Sequence, residues 1–161
     1  LKIVITKPHI QVITLGILAG MRAMSAPAAA SNMLNKKHSK QLRHSPLHFM
    51  ESGTTANLLS VMAIAEFIGD KMPSAPNRIA LPGLVSRGLS GALAGAGIYK
   101  SAKQNAIAGA LLGGITALAA TYGSFYLRRA LVKQAHMIDP VIGSIEDAIV
   151  LGAGLGLTES V

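Results

Sequence analysis

GILAGMRAMSAPAAAS, residues 16–31, has the apolar character of a buried helix, yet it carries Arg22 near its middle and Pro27 five residues later. In a water-soluble helix Arg22 would point outward and need no account, so its meaning depends on the solvent around the chain. Composition bears on that first. Half of the 161 residues are hydrophobic, 14% are charged and the mean hydropathy is +0.45, against about 25% charged in an ordinary soluble domain. Seventeen glycines beside abundant Ala, Leu, Ile and Val resemble packed transmembrane helices, where small residues let backbones approach closely. The absence of cysteine excludes a disulfide and a thiolate metal site. A net charge of +8 raises nucleic acid as a partner, but three Phe, three Tyr and no Trp leave little for base stacking. The basic residues border apolar segments and read instead as topology signals.

Five apolar segments stand out: Ile10 to Leu34, Thr54 to Lys71, Leu84 to Ala102, Asn105 to Val132 and Pro140 to Val161. A spanning helix needs about 20 mostly apolar residues. The second and fifth segments carry interior acids, Glu66 with Asp70 and Glu146 with Asp147, so five simple spans are a poor description. Between the first two lies the densest basic loop, Asn35 to Ser52, with Lys36, Lys37, Lys40 and Arg43, which the positive-inside rule places in the cytoplasm. Letting the second segment enter and return on one side collects Lys71, Arg78, Arg128, Arg129 and Lys133 on that same side and leaves Lys100 and Lys103 as exceptions. Re-entrant backbone is tolerated only inside protein or against a water-filled cavity, so this arrangement predicts an enclosed polar interior. An alternative for the first segment is a secretory signal peptide, with Lys2 and Lys7, an apolar run and small residues at Ala26 to Ala30. Arg22 interrupts that pattern.

In lipid, an unpaired Arg22 would cost at least about 2.5 kcal/mol. It therefore needs a partner among Glu66, Asp70, Glu146 and Asp147, with Glu66 the first choice and Glu146 the second. Pro27 should kink or break the helix near Met24 to Ala26 and free carbonyls beside the cation. Glu66 and Asp70, four apart, share a helix face, and Pro73 and Pro76 end that helix. Glu146 and Asp147, being consecutive, project about 100° apart and face different neighbours. Small residues recur at four-residue spacing at Gly16 and Gly20, Gly91 and Gly95, Gly109, Gly113, Ala117 and Thr121, and Gly152 and Gly156, which reads as close packing within the bundle. His38, His44 and His48 suggest a metal site, but Pro46 interrupts them and solvated, headgroup-facing cations are the simpler reading. No metal and no cofactor is expected. No nucleophile elbow, phosphate-cradling loop or zinc-protease helix is present, so an enzyme is not expected either.

GILAGMRAMSAP, EFIGDKMPSAPNR, SRGLSGALAGA from Ser86, YGSFYLRR from Tyr122 and SIEDAIVLG from Ser144 together resemble an uncharacterised bacterial membrane family, domain of unknown function 4126. The matching positions are Gly20, Arg22, Pro27, Asp70, Lys71, Pro73, Arg78, Glu146 and Asp147. The resemblance implies a multi-pass membrane protein and lends no activity. The basic, histidine-containing loop from Asn35 to His48 departs from the family pattern.

The resulting expectation is one all-α domain over residues 1–161. It is a polytopic integral membrane helical bundle with broken or re-entrant segments, in the bacterial inner membrane. The acid-bearing segments, one in each half, suggest an internal inverted repeat. Arg22, Glu66, Asp70, Lys71, Arg78, Arg87, Arg128, Glu146 and Asp147 would line a substrate or ion pathway, with helix breaks at Pro27, Pro73 and Pro76. The expected function is transport of a small solute, an ion or an anionic lipid, with the carboxylates available for proton coupling. The alternative is a non-transporting scaffold packed through glycine-rich faces. Membrane lipids, a small anionic solute or ion, and further copies of the chain are the expected partners.

Overall fold

Turn chemistry divides the apolar runs into helices. Ser39, Ser45 and Asn105 each accept a hydrogen bond from the backbone N–H two residues on, and Pro46, Pro82 and Pro140 sit in first turns, where a missing N–H costs nothing. In the computed structural model, which describes residues 7–70 and 79–160, all regular structure among the described residues is helical. The elements are α1 (Lys7–Met21), α2 (Ser25–Lys37), α3 (Lys40–Arg43), a 3-10 turn (Pro46–Glu51), α4 (Gly53–Gly69), α5 (Leu81–Ser101), α6 (Ala106–Gln134) and α7 (Asp139–Glu159). Lys71, Pro73, Pro76 and Arg78 lie outside the described residues.

The first apolar segment is a hairpin, not one kinked helix. Lys7 Nζ donates to the Ser160 carbonyl at 2.9 Å, while Lys36 Nζ donates to the Thr158 carbonyl at 3.1 Å and lies 3.4 Å from Glu159 Oε1. The start of α1 and the end of α2 therefore both meet the end of α7. Pro27 is the third residue of α2, where its fixed φ starts a helix instead of kinking one. The reversal falls just before it, at Arg22 to Met24.

α4 leaves that same end beside Asn35 and runs unbroken to the depth of Arg22. The expectation that the second segment turns back is thus corrected: the first one does. α5 returns to the basic end, where Ser39 Oγ donates to the Ser101 carbonyl at 3.1 Å. Lys100 and Lys103 consequently join the basic loop instead of standing as exceptions to it.

Val12, Leu15 and Leu18 of α1, Met33 and Leu34 of α2, Ala94 and Ile98 of α5 and Ala117 of α6 form the core. The segment weighed as a signal peptide is part of it. Three helices meet along a glycine seam, where a Cβ at Gly95 would overlap the Gly109 carbonyl and one at Gly20 the Ala117 carbonyl. The expected packing of Gly152 and Gly156 is absent, since nothing outside α7 lies within 4 Å of a Cβ placed there. Among the described residues two helices, α6 and α7, are long and apolar enough to cross a membrane, and α4 is a shorter apolar helix. Their outward faces carry Leu111, Ile115, Ile149, Leu155, Val61 and Ile68, all exposed.

Candidate functional site

The α1–α2 turn carries Arg22 into a closed space between α4 and α7. Its side chain is only 3% exposed. Nε donates to Asp147 Oδ1 at 3.0 Å, NH2 reaches the same oxygen, and NH1 pairs with Asp70 Oδ2. The Phe67 ring lies beneath the guanidinium at 5.1 Å, completing the cover from α4. Each of the guanidinium's three nitrogens, which together carry five N–H donors, thus reaches an acid, one at the end of α4 and one on α7.

Glu66 does different work. Its Oε1 accepts from Ala23 N–H at 2.8 Å and its Oε2 from Met24 N–H at 2.7 Å. Those are orphan amides at the entry to α2, so the chain break frees N–H groups where the sequence led us to expect carbonyls. The preferred pairing of Arg22 with Glu66 is corrected accordingly: an acid one turn further on, Asp70, takes the cation, and Glu66 takes the backbone. The second choice shifts by one residue, from Glu146 to Asp147.

Glu146 faces another arginine, as the 100° offset between consecutive helical residues requires. Arg128 NH1 lies 3.4 Å from Glu146 Oε2, and its Nε and NH2 hold Asp139 through both carboxylate oxygens at 2.7 and 2.9 Å. This second centre is more open, with Arg128 at 23% exposure and Asp139 at 60%. Arg87 is buried on α5, next to Gly88, which faces Leu118 of α6.

Two clefts flank the charges. One of about 390 Å³ lies between α1, α6 and α7 and is walled by Met21, Leu131, Ile142 and Ile145, with Arg128 and Glu146 at its rim. Another of about 260 Å³ runs between α2, α4 and α7 from Thr158 to Phe67. Both are mainly apolar. Among the described residues, no three His, Asp or Glu side chains gather as metal ligands, and His48 lies exposed, 3.9 Å from Glu51.

The model of the family described as Domain of unknown function (DUF4126) matches residues 10–157. The chain belongs to this family. The DUF4126 match takes in both arginine centres, from Arg22 to Asp147. No curated protein and no solved structure matches the chain.

Sequence reasoning missed three participants. Asp139 precedes Pro140 at the start of a helix and so had no evident cation to meet. Phe67 resembled any apolar residue of α4. Glu51 is 5% exposed and accepts from Ser39 N–H, which ties the basic loop together; a lone acid at the end of a basic loop was the available signal.

Proposed function

We propose that the protein is a polytopic membrane protein of the bacterial inner membrane that moves a small solute, an ion or an anionic lipid past the Arg22 cluster. In this reading α4 to α7 cross the bilayer and α1–α2 is a re-entrant hairpin entering from the basic, cytoplasmic end. The exposed apolar faces of α4, α6 and α7 support lipid as the surrounding solvent. So does the charge distribution. Lys7, Lys36, Lys37, Lys40, Arg43, Lys100 and Lys103 lie toward one end, against Arg128, Arg129 and Lys133 toward the other.

The observation that carries the transport reading is the meeting of broken helix ends at a buried charge. α1 ends, α2 begins and α4 ends around Arg22, the arrangement by which discontinuous helices build transporter sites. An internal repeat enters only in that α4 and α7, one from each half, supply the acids. Asp70 is the most accessible partner, at 29% side-chain exposure against 11% for Asp147. An anionic group approaching Arg22 would displace Asp70 first, removing one tie between α4 and the hairpin while Glu66 still holds the Ala23 and Met24 amides.

Flux of labelled ions, small acids and lipids in proteoliposomes tests this, with Asp70→Asn and Asp147→Asn beside the wild type. Flux that changes in the folded amide variants supports transport; a broad screen without flux removes it. The second reading, a scaffold that forms homo-oligomers, draws on the commitment of Arg22 to acids and on the open face at Gly152 and Gly156. It expects no flux and unaltered behaviour of both amides.

A further inference from the structure

We infer that the basic end of the molecule is a built face for anionic phospholipid headgroups, with the segment from His38 to Ser52 as its platform. The inference rests on the membrane-spanning reading above and names a lipid partner for a different part of the molecule. The segment is held in place. Leu42 and Met50 are fully buried, Ser31 Oγ donates to the Met50 carbonyl at 2.7 Å, Glu51 accepts from Ser39 N–H, and Ser39 Oγ donates to the carbonyl of Ser101 at the end of α5. Lys40 and Arg43 flank the buried Leu42 on α3, so its anchoring leaves both cations outside.

Charge complementarity identifies the partner. The chain has seven acids, and Glu66, Asp70, Asp139, Glu146 and Asp147 belong to the arginine centres. Only Glu51 and Glu159 remain at the basic end. Glu51 is buried and engaged by the Ser39 amide, and Glu159 pairs with Lys36. Lys37, Lys40, Arg43 and Lys103 are exposed and have no carboxylate partner among the described residues. Phe49, 48% exposed on the same platform, adds an apolar group suited to the boundary between headgroups and acyl chains. A fixed group of unpaired cations beside an exposed aromatic matches the negative surface of an anionic leaflet.

The test uses the full chain reconstituted in phosphatidylcholine vesicles containing a minor fraction of phosphatidylglycerol. Spin-labelled phosphatidylglycerol and phosphatidylcholine report which lipid the protein holds at its boundary. The wild type should prefer the anionic lipid severalfold, toward a ceiling of about fivefold for each fully engaged cation, and added salt should weaken the preference. Replacing Lys37, Lys40, Arg43 and Lys103 together by Gln should abolish it while the melting temperature and insertion stay unchanged. A wild type that inserts into neutral vesicles but shows no anionic preference overturns this inference and leaves the membrane reading standing, as does a variant that keeps the preference. Failure to insert into any vesicle overturns both.

Discussion

Arg22 and Arg128 take their acids from adjacent residues of one helix, Asp147 and Glu146, yet they occupy opposite physical regimes. Arg22 is sealed between α4 and α7, with a ring beneath it and partners from two helices. Arg128 sits near the α6–α7 connection, where its bidentate partner Asp139 lies 11 residues away and is largely exposed. Burial, more than the number of contacts, sets what each arginine stands to lose. A buried charge that loses its partner has no water to turn to, whereas an exposed one does.

The largest effect should follow Arg22→Ala, which leaves Asp70 and Asp147 facing each other without the cation. A loss of about 3–5 kcal/mol in unfolding free energy is expected, read from denaturant titration in detergent. Adding Asp147→Ala should recover part of that loss, because an absent pair costs less than a lone buried charge. A double variant no better than Arg22→Ala would mean that Asp147 is not the partner that matters.

Glu66→Gln tests the hairpin turn itself. One amide oxygen cannot replace two carboxylate oxygens at Ala23 and Met24, and the new NH₂ group faces an N–H. A loss of about 1–3 kcal/mol is expected in the same titration, with the fold retained. If Glu66→Gln matched Arg22→Ala, Glu66 would be serving the cation as well as the backbone.

Arg128→Gln should cost least, about 1 kcal/mol: Asp139 is already exposed to solvent, and the buried Glu146 loses only a long contact of 3.4 Å. Its effect should also shrink in high salt, while that of Arg22→Ala should hardly change. Equal salt dependence at the two sites would erase the contrast between them.

How far the sequence reached depends on what kind of information each feature needs. Arg22 in an apolar run demanded an acid, and the interior acids of the second and fifth segments were the available candidates. The helical offset of Glu146 and Asp147 separated their neighbours without any structure. Partner choice was not legible, because it depends on the Ala23 and Met24 amides drawing Glu66 away from the cation. Pro27 did point to a break near Met24 to Ala26, against the observed interruption at Arg22 to Met24, but not to a full reversal there, since those three residues contain neither Gly nor Pro and Pro27 itself lies in the first turn of the next helix. Reading the first segment as a single helix puts the returning element in the second and leaves Lys100 and Lys103 apart from the basic loop, whereas α5 in fact ends beside Ser39. The glycine spacing marked the α1–α5–α6 seam correctly but could not separate it from the open face of α7, since identical spacing serves both.

The proposed membrane topology has the first apolar segment enter and leave on the basic side while α4 to α7 cross. The protein has no native cysteine, so single cysteines at Lys7, Ser39, Lys103 and Gln134 can be labelled in intact cells with an impermeant maleimide without background. The account predicts that Lys7→Cys, Ser39→Cys and Lys103→Cys are shielded until the inner membrane is opened, and that Gln134→Cys reacts from the periplasmic side once the outer barrier is permeable. Labelling of Lys7→Cys from the side opposite Ser39→Cys would mean that the first segment crosses the membrane, and would contradict the hairpin.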